Sequence, residues 1–322
     1  MDFIVMKRLL TQLAILSSAV ASYALPTSIN SDYTIEAGTT EYATSACTQS
    51  SGTFTIEGTL SMDVAKQYAL ALIGGKLIVA DGGKLISPTS NSLYSGTASN
   101  FVIRAGGNMI IEKGGYVQNG KIGMENGTLT INQENGIVGM IDSVYKHAFL
   151  CPVTDNGVVY LNASQGFVMD MRNMNNGIGA TITFKKEIGN DAILTISDAF
   201  VNGNVDKASV SMVFENFDTR SLFLETENHT EYAVSDDGKD LLISFRDPSS
   251  NKVRTQTYSL FTLEDGQEVD FESIILEAGT NNGVAGYWVY DSAVVVAVPE
   301  PAEWAVIFGT LALGFAIYRR RK

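Results

Sequence analysis

Gly74-Gly75-Lys76-Leu77-Ile78 and Gly82-Gly83-Lys84-Leu85-Ile86 are two copies of one pentapeptide, eight residues apart. Double glycines return at Gly106-Gly107 and Gly114-Gly115 with the same spacing, 32 residues further on. Short strands between glycine turns suit a parallel β-helix or solenoid, in which each coil buries its neighbour. The alternative is a run of hairpins in a sandwich, because Gly-Gly is also a hairpin turn. The fixed spacing favours the solenoid for residues 50–185.

Working outward, Asn-Gly occurs seven times, at Asn119, Asn126, Asn135, Asn156, Asn176, Asn202 and Asn282. Both residues tolerate positive φ, so each pair is expected to mark a tight turn. Between the turns lie period-2 stretches such as Thr128–Asn132, Leu241–Arg246 and Tyr287–Val298. Such alternation puts one face in a core and the other in water. Only Ser61–Ile73 has a helical alternative, and its Tyr68, Leu70 and Leu72 fit a strand equally well.

From about residue 190 the double glycines vanish and aromatics increase. Phe214, Phe217, Phe223, Tyr232, Phe245, Tyr258, Phe261, Phe271, Tyr287, Trp288 and Tyr290 are expected to fill a sandwich core. A carbohydrate-binding aromatic platform is the sharper alternative, but aromatics at strand spacing are more often core. The expected architecture is all-β: a Gly/Asn-rich parallel β-helix or solenoid-like region at 25–185, then a β-sandwich-like region at 186–297.

The chain has 322 residues, 45% hydrophobic and 18% charged, with 30 Gly and 6 Pro. Its net charge is −13; the first 24 residues carry +1 and residues 302–322 carry +3, which leaves −17 between them. So acidic a region repels phosphate backbones, and nucleic acid is excluded as a partner. Cys47 and Cys151 are the two cysteines. Two readings stand for them, a disulfide closing a long loop or two unrelated buried thiols.

Both ends carry addresses. In residues 1–24, Lys7 and Arg8 precede an apolar run, Leu9–Val20. Ala19-Val20-Ala21 and Ser22-Tyr23-Ala24 are two small-residue cleavage patterns, so the segment reads as a signal peptide. Met6-Lys7-Arg8 also looks like a natural start. At the other end, Val298-Pro299-Glu300-Pro301 precedes the uncharged stretch Trp304–Tyr318, and Arg319, Arg320, Arg321 and Lys322 follow. Fifteen helical residues span only ~22 Å, short of a ~30 Å hydrocarbon core. Trp304 and Tyr318 at the two boundaries, with four cations at one end, nevertheless fit a single transmembrane helix whose basic end is cytoplasmic.

This tripartite tail, residues 298–322, resembles the PEP-CTERM sorting signal of Gram-negative bacteria. The resemblance implies an exosortase, a membrane-embedded cysteine transpeptidase-like enzyme, that cuts near the Pro-Glu-Pro. Pro299, Glu300 and Pro301 would be its recognition motif, Trp304–Tyr318 the temporary anchor, and Arg319–Lys322 the stop-transfer cluster. It implies nothing about the ectodomain, because members share only the tail. The 50–185 region also loosely resembles the Gly/Asn-rich passenger repeats of autotransporter-like surface proteins.

Chemistry is sparse. His147 and His229 are the only histidines and sit in no recognised catalytic motif. Asp236, Asp237 and Asp240 around Gly238 resemble a calcium-loop fragment, but the pattern lacks its closing Glu, and a polar turn is the simpler reading. No catalytic, cofactor or metal residues are assigned. The expected function is a non-enzymatic surface or matrix protein, membrane-anchored as a precursor, then placed on the cell surface or in the extracellular matrix. The alternatives are a glycan-binding adhesin, with extracellular polysaccharide as partner, or a β-helix polysaccharide-degrading enzyme using residues such as Arg104 and Asp81.

Overall fold

The structure is a computed structural model and describes residues 22–62, 68–87, 101–118, 121–139, 147–153, 155–171, 180–200, 210–217, 220–226, 229–248, 250–259, 261–264, 267–270 and 272–292. All regular structure among them is strand. No helix among them is long and apolar enough to cross a membrane. The sorting motif, anchor and stop-transfer residues lie outside the described residues.

Three parallel sheets share the chain coil by coil. The first has six strands, from Ser22–Ala24 to Ile137–Val138. The second has nine parallel strands, from Ser28–Ile29 to Leu222–Glu225, with two antiparallel strands added at its end, and the third has eight, from Tyr33–Ile35 to Val210–Glu215. Successive strands visit first, second and third sheet in turn, and each pairs in parallel with its counterpart one coil away. This is the winding of a parallel β-helix, with the shortest coils about 20 residues long.

The pentapeptide repeat maps onto this winding directly. Gly75 pairs with Gly107, Leu77 with Met109 and Val79 with Ile111, so 32 residues make one coil here. The eight-residue spacing is the step from one sheet to the next. A four-residue turn closes on itself after strands of the third sheet, with N–H to O bonds Thr39 to Glu36, Gly83 to Ala80, Gly115 to Glu112, Gly136 to Gln133 and Asn190 to Glu187. The third residue of each turn is left-handed: Gly38 (φ +78°), Gly82 (+78°), Gly114 (+88°), Asn135 (+53°) and Gly189 (+75°). The next glycine serves close approach instead: a Cβ at Gly83 would stand 1.9 Å from the Ile56 carbonyl oxygen.

Inside, like side chains stack on like. Phe54, Leu77, Met109, Leu129, Val159 and Phe184 form one fully buried ladder up the third sheet. Burying each such side chain contributes roughly 1.5–3 kcal/mol. Outside, a polar ladder runs up a corner: Asn132 Nδ2 donates to Glu112 at 3.0 Å, and Asn162 Nδ2 to Asn132 at 2.7 Å.

Ser61–Ile73, for which helix and strand both stood open, contributes to strands Thr59–Met62 and Leu70–Leu72. One expectation is corrected: the winding does not stop at residue 185. Among the described residues the first sheet ends at Ile137–Val138, but the other two continue through Leu194–Phe200, Val210–Glu215 and Leu222–Glu225. Inward-facing Phe184, Ile196, Phe214 and Leu224 keep the core continuous.

The antiparallel part is a cover. Strands Thr230–Val234, Asp240–Arg246 and Val253–Ser259 form a meander. It packs on the outer face of the second sheet, where Phe245 meets Phe200 at 4.6 Å and the Tyr258 hydroxyl meets Met171 Sδ at 2.5 Å. Strand Gln165–Asp170 is consequently buried on both faces. Hairpin Ile274–Asn281/Val284–Asp291 closes the second sheet by antiparallel pairing with Leu222–Glu225.

Candidate functional site

The residues singled out in the sequence are scattered. Cys47 and Cys151 are buried on the second sheet, with strands Leu70–Leu72, Phe101–Arg104 and Lys121–Glu125 between theirs. Four strand steps of ~4.8 Å put them about 19 Å apart, whereas a disulfide needs Cα atoms within ~7 Å. The disulfide reading is therefore corrected: they do not join each other. Burial pushes the Cys47 thiol up to about 11. Arg104 ends the second-sheet strand Phe101–Arg104, whereas Asp81 follows the third-sheet strand Gly75–Val79, and Arg104 is engaged by Glu125 at 2.5 Å and by the Tyr68 ring.

Asp237 serves its own turn. It accepts from the Ser235 hydroxyl at 2.6 Å and from Lys239 N–H at 3.2 Å, which together hold its carboxyl below the usual range. Of the C-terminal aromatics, Phe214, Phe217, Phe223, Phe245, Tyr258 and Tyr290 are buried. The exposed tyrosines Tyr42 and Tyr160 lie on different sheets, so the described residues show no aromatic row.

What the coils do bring together is a polar cleft on the second sheet, where the first sheet has ended. Ala148 pairs with Phe167, which sets the preceding His147 over Gly166. A Cβ at Gly166 would stand 2.3 Å from the imidazole, so only glycine leaves room for the ring. His147 Nε2 then lies 3.5 Å from Glu225 Oε1.

One strand further on, Phe167 pairs with Ile196 but Val168 with Asp198. Ser197 is the extra residue of a β-bulge, a device that bends a strand and re-aims its side chains. Thr195 and Ser197 both line the cleft while almost wholly buried. The hairpin turn Asn281-Asn282-Gly283 folds over the opening, and Asn281 Nδ2 donates to Thr195 Oγ1 at 3.1 Å. Gln165 forms the floor and Glu134 the rim.

The cavity is about 320 Å³. Among the described residues its lining carries two carboxylates, Glu134 and Glu225, one imidazole, and several hydroxyls and amides, but neither Lys nor Arg. Ile193 and Val284 supply a small apolar wall. Among the described residues no three His, Cys, Asp or Glu side chains converge as a metal-binding group. The meander beside it seals a second polar layer. Lys121 Nζ meets Asp170 at 3.0 Å with both side chains buried. Burial, then the charges of Asp198 and Glu225, push the Tyr232 phenol well up.

The sequence reading missed this cleft. Its only signal was that His147, Gly166 and Thr195 come into line once the register is known, and unequal coil lengths hid that register. No protein-family model, curated protein or solved structure matches this chain.

Proposed function

We propose that this is an exported, non-enzymatic cell-envelope protein. Its β-coil ectodomain is held at the cytoplasmic membrane by the C-terminal segment. An exosortase-type enzyme then cuts near Pro299-Glu300-Pro301 and delivers the ectodomain to the surface or matrix. The observation that carries this is residues 298–322: a Pro-Glu-Pro motif, an uncharged Trp304–Tyr318 and the cations Arg319–Lys322, in that order. Prolines keep the motif extended and non-helical, within reach of an enzyme in the bilayer. The acidic body and the signal-like first residues agree with export.

The test is expression in matched hosts with and without the processing enzyme, read by intact mass and cell fractionation. The expected result is loss of the tail and departure from the membrane in the competent host alone. An unchanged tail there would overturn the sorting reading.

A further inference from the structure

We infer that Asn282 is a spontaneous modification site, at which the chain converts its own amide to an acid and unlatches the C-terminal hairpin. This goes beyond the sorting proposal and does not depend on it. The chemistry belongs to the Asn-Gly pair. The glycine backbone nitrogen attacks the asparagine side-chain carbonyl carbon, an approach that no glycine Cβ obstructs. A carbon–nitrogen bond forms, the glycine N–H proton passes to a base in the solvent, and the side-chain nitrogen leaves as ammonia. Water then opens the cyclic imide at either carbonyl. One opening gives aspartate and the other isoaspartate; nothing is oxidised or reduced.

The fold decides which pair reacts. The pairs at Asn119, Asn176 and Asn202 lie outside the described residues. Asn126, Asn135, Asn156 and Asn282 are all exposed, so the attacking glycine makes the difference. Gly127, Gly136 and Gly157 are buried against the preceding coil. A Cβ would stand 2.4 Å from Ile103 at Gly127, 3.1 Å from Ile111 at Gly136 and 3.0 Å from Met124 at Gly157. The Gly136 N–H also donates to the Gln133 carbonyl at 3.2 Å, and Asn156-Gly157 is held in the ladder by Thr181 and Ile182. Closing the imide at any of these three requires the coil to open locally first.

Asn282-Gly283 needs no such opening. Gly283 is exposed, and nothing lies within 4 Å of where its Cβ would be. The φ angles, +50° at Asn282 and +82° at Gly283, are those of a two-residue type I′ turn. The ladder closes between Asn281 and Val284, so the Gly283 N–H stands outside it.

The product changes the turn. Isoaspartate routes the chain through the former side chain and adds a backbone carbon. Turn type and loop length set the register of a hairpin, so the Asn281–Val284 pairing fails with the turn. Asn281 also ties the turn to the coil through its 3.1 Å bond to Thr195 Oγ1, and that tie is lost with it.

The test ages full-length protein in detergent in mildly alkaline buffer, once folded and once in concentrated urea, and maps the acid-digested peptides by mass. In the folded protein the Asn282 peptide should gain the acid at least about tenfold faster than those of Asn126, Asn135 and Asn156, which wait on local opening. In urea the four rates should converge. Hydrogen exchange of Ile274–Asn281 and Val284–Asp291 should quicken in aged wild type but not in aged Asn282→Gly, which tolerates the positive φ and has no side chain to cyclise. An Asn282 no faster than the other three in the folded protein would overturn the inference. So would an advantage that survives in urea, because the turn would not be its cause. Equal hairpin exchange in aged wild type and aged Asn282→Gly would overturn the unlatching.

Discussion

The side-chain amide of Gln165 bonds Ile137 as a neighbouring strand would. Its Nε2 donates to the Ile137 carbonyl at 3.0 Å, and its Oε1 accepts from the Ile137 N–H at 3.2 Å. Ile137–Val138 is the last strand of the first sheet, so one buried glutamine satisfies a sheet edge that would otherwise be left open.

Gln165→Leu removes both bonds and leaves two buried backbone groups unsatisfied. At ~1–3 kcal/mol per group, a loss of about 2–4 kcal/mol is expected in urea unfolding. Gln165→Glu keeps an acceptor for the N–H but loses the donor to the carbonyl. It should be destabilised as well, and more at neutral pH than in acid. Wild-type stability in both variants would show that the strand end is satisfied some other way.

The Lys121–Asp170 pair is the second test of a buried polar device. Lys121 Nζ also lies 5.8 Å from the Phe149 ring, under the meander. Lys121→Met removes the cation beside a buried carboxylate and should cost about 3–5 kcal/mol. Lys121→Met combined with Asp170→Leu removes both charges and should recover most of that loss. A double variant no better than the single one would mean that the ion pair is not the main term.

The coil was legible in the sequence because the double glycines at 74–75 and 106–107 sit at the same corner one coil apart. A corner needs a left-handed residue and a close backbone approach, and glycine supplies both. The Asn-Gly pairs are less specific. Asn282-Gly283 is a hairpin turn, as read. Asn135-Gly136 instead turns a corner, and Asn156-Gly157 lies inside strand Asp155–Leu161. Positive φ is common to hairpins and corners, so the dipeptide alone does not separate them. The continuation past residue 185 was hidden for a related reason. Its strands are as regular as the earlier ones, but the corners no longer carry double glycine. The cleft was hidden because His147 and Glu225 meet only through parallel register summed over several coils.

Glu41 offers a pH test. It occupies an inward position in register with Leu60, buried, and accepts the Tyr33 hydroxyl on both carboxylate oxygens at 2.9 and 2.8 Å. Burial, then the Glu41 bond, lifts the Tyr33 phenol to about 12. Burial also raises the Glu41 carboxyl above its ordinary value, opposed in part by the Tyr33 bond. A raised carboxyl binds its proton more readily in the folded state. Its favourable contribution is therefore full below the unfolded value and is lost as pH rises through the folded one. Glu41→Gln keeps an acceptor for Tyr33 without the charge. Its melting temperature should gain on wild type as pH rises from acid to neutral. A gap that stays constant between about pH 3 and pH 8 would sink the assignment.

On the export proposal, the first coil predicts where residues at the N-terminal end would be cut. Ser22, Tyr23 and Ala24 pair in parallel with Thr40, Glu41 and Tyr42, and the Leu25 N–H continues the ladder to the Tyr42 carbonyl at 3.1 Å. Of the two small-residue patterns, Ala19-Val20-Ala21 leaves this strand whole, whereas cleavage after Ala24 deletes it and bares the edge of Thr40–Ala43. Bare edges invite pairing with other chains. N-terminal sequencing of the protein from a host that exports it, as proposed, should read Ser22-Tyr23-Ala24-Leu25. A form made to begin at Leu25 should lose roughly 1–3 kcal/mol, the net worth of a few backbone bonds, and aggregate more readily. A natural N-terminus at Leu25, with undiminished stability, would mean that the strand Ser22–Ala24 is no part of the mature coil.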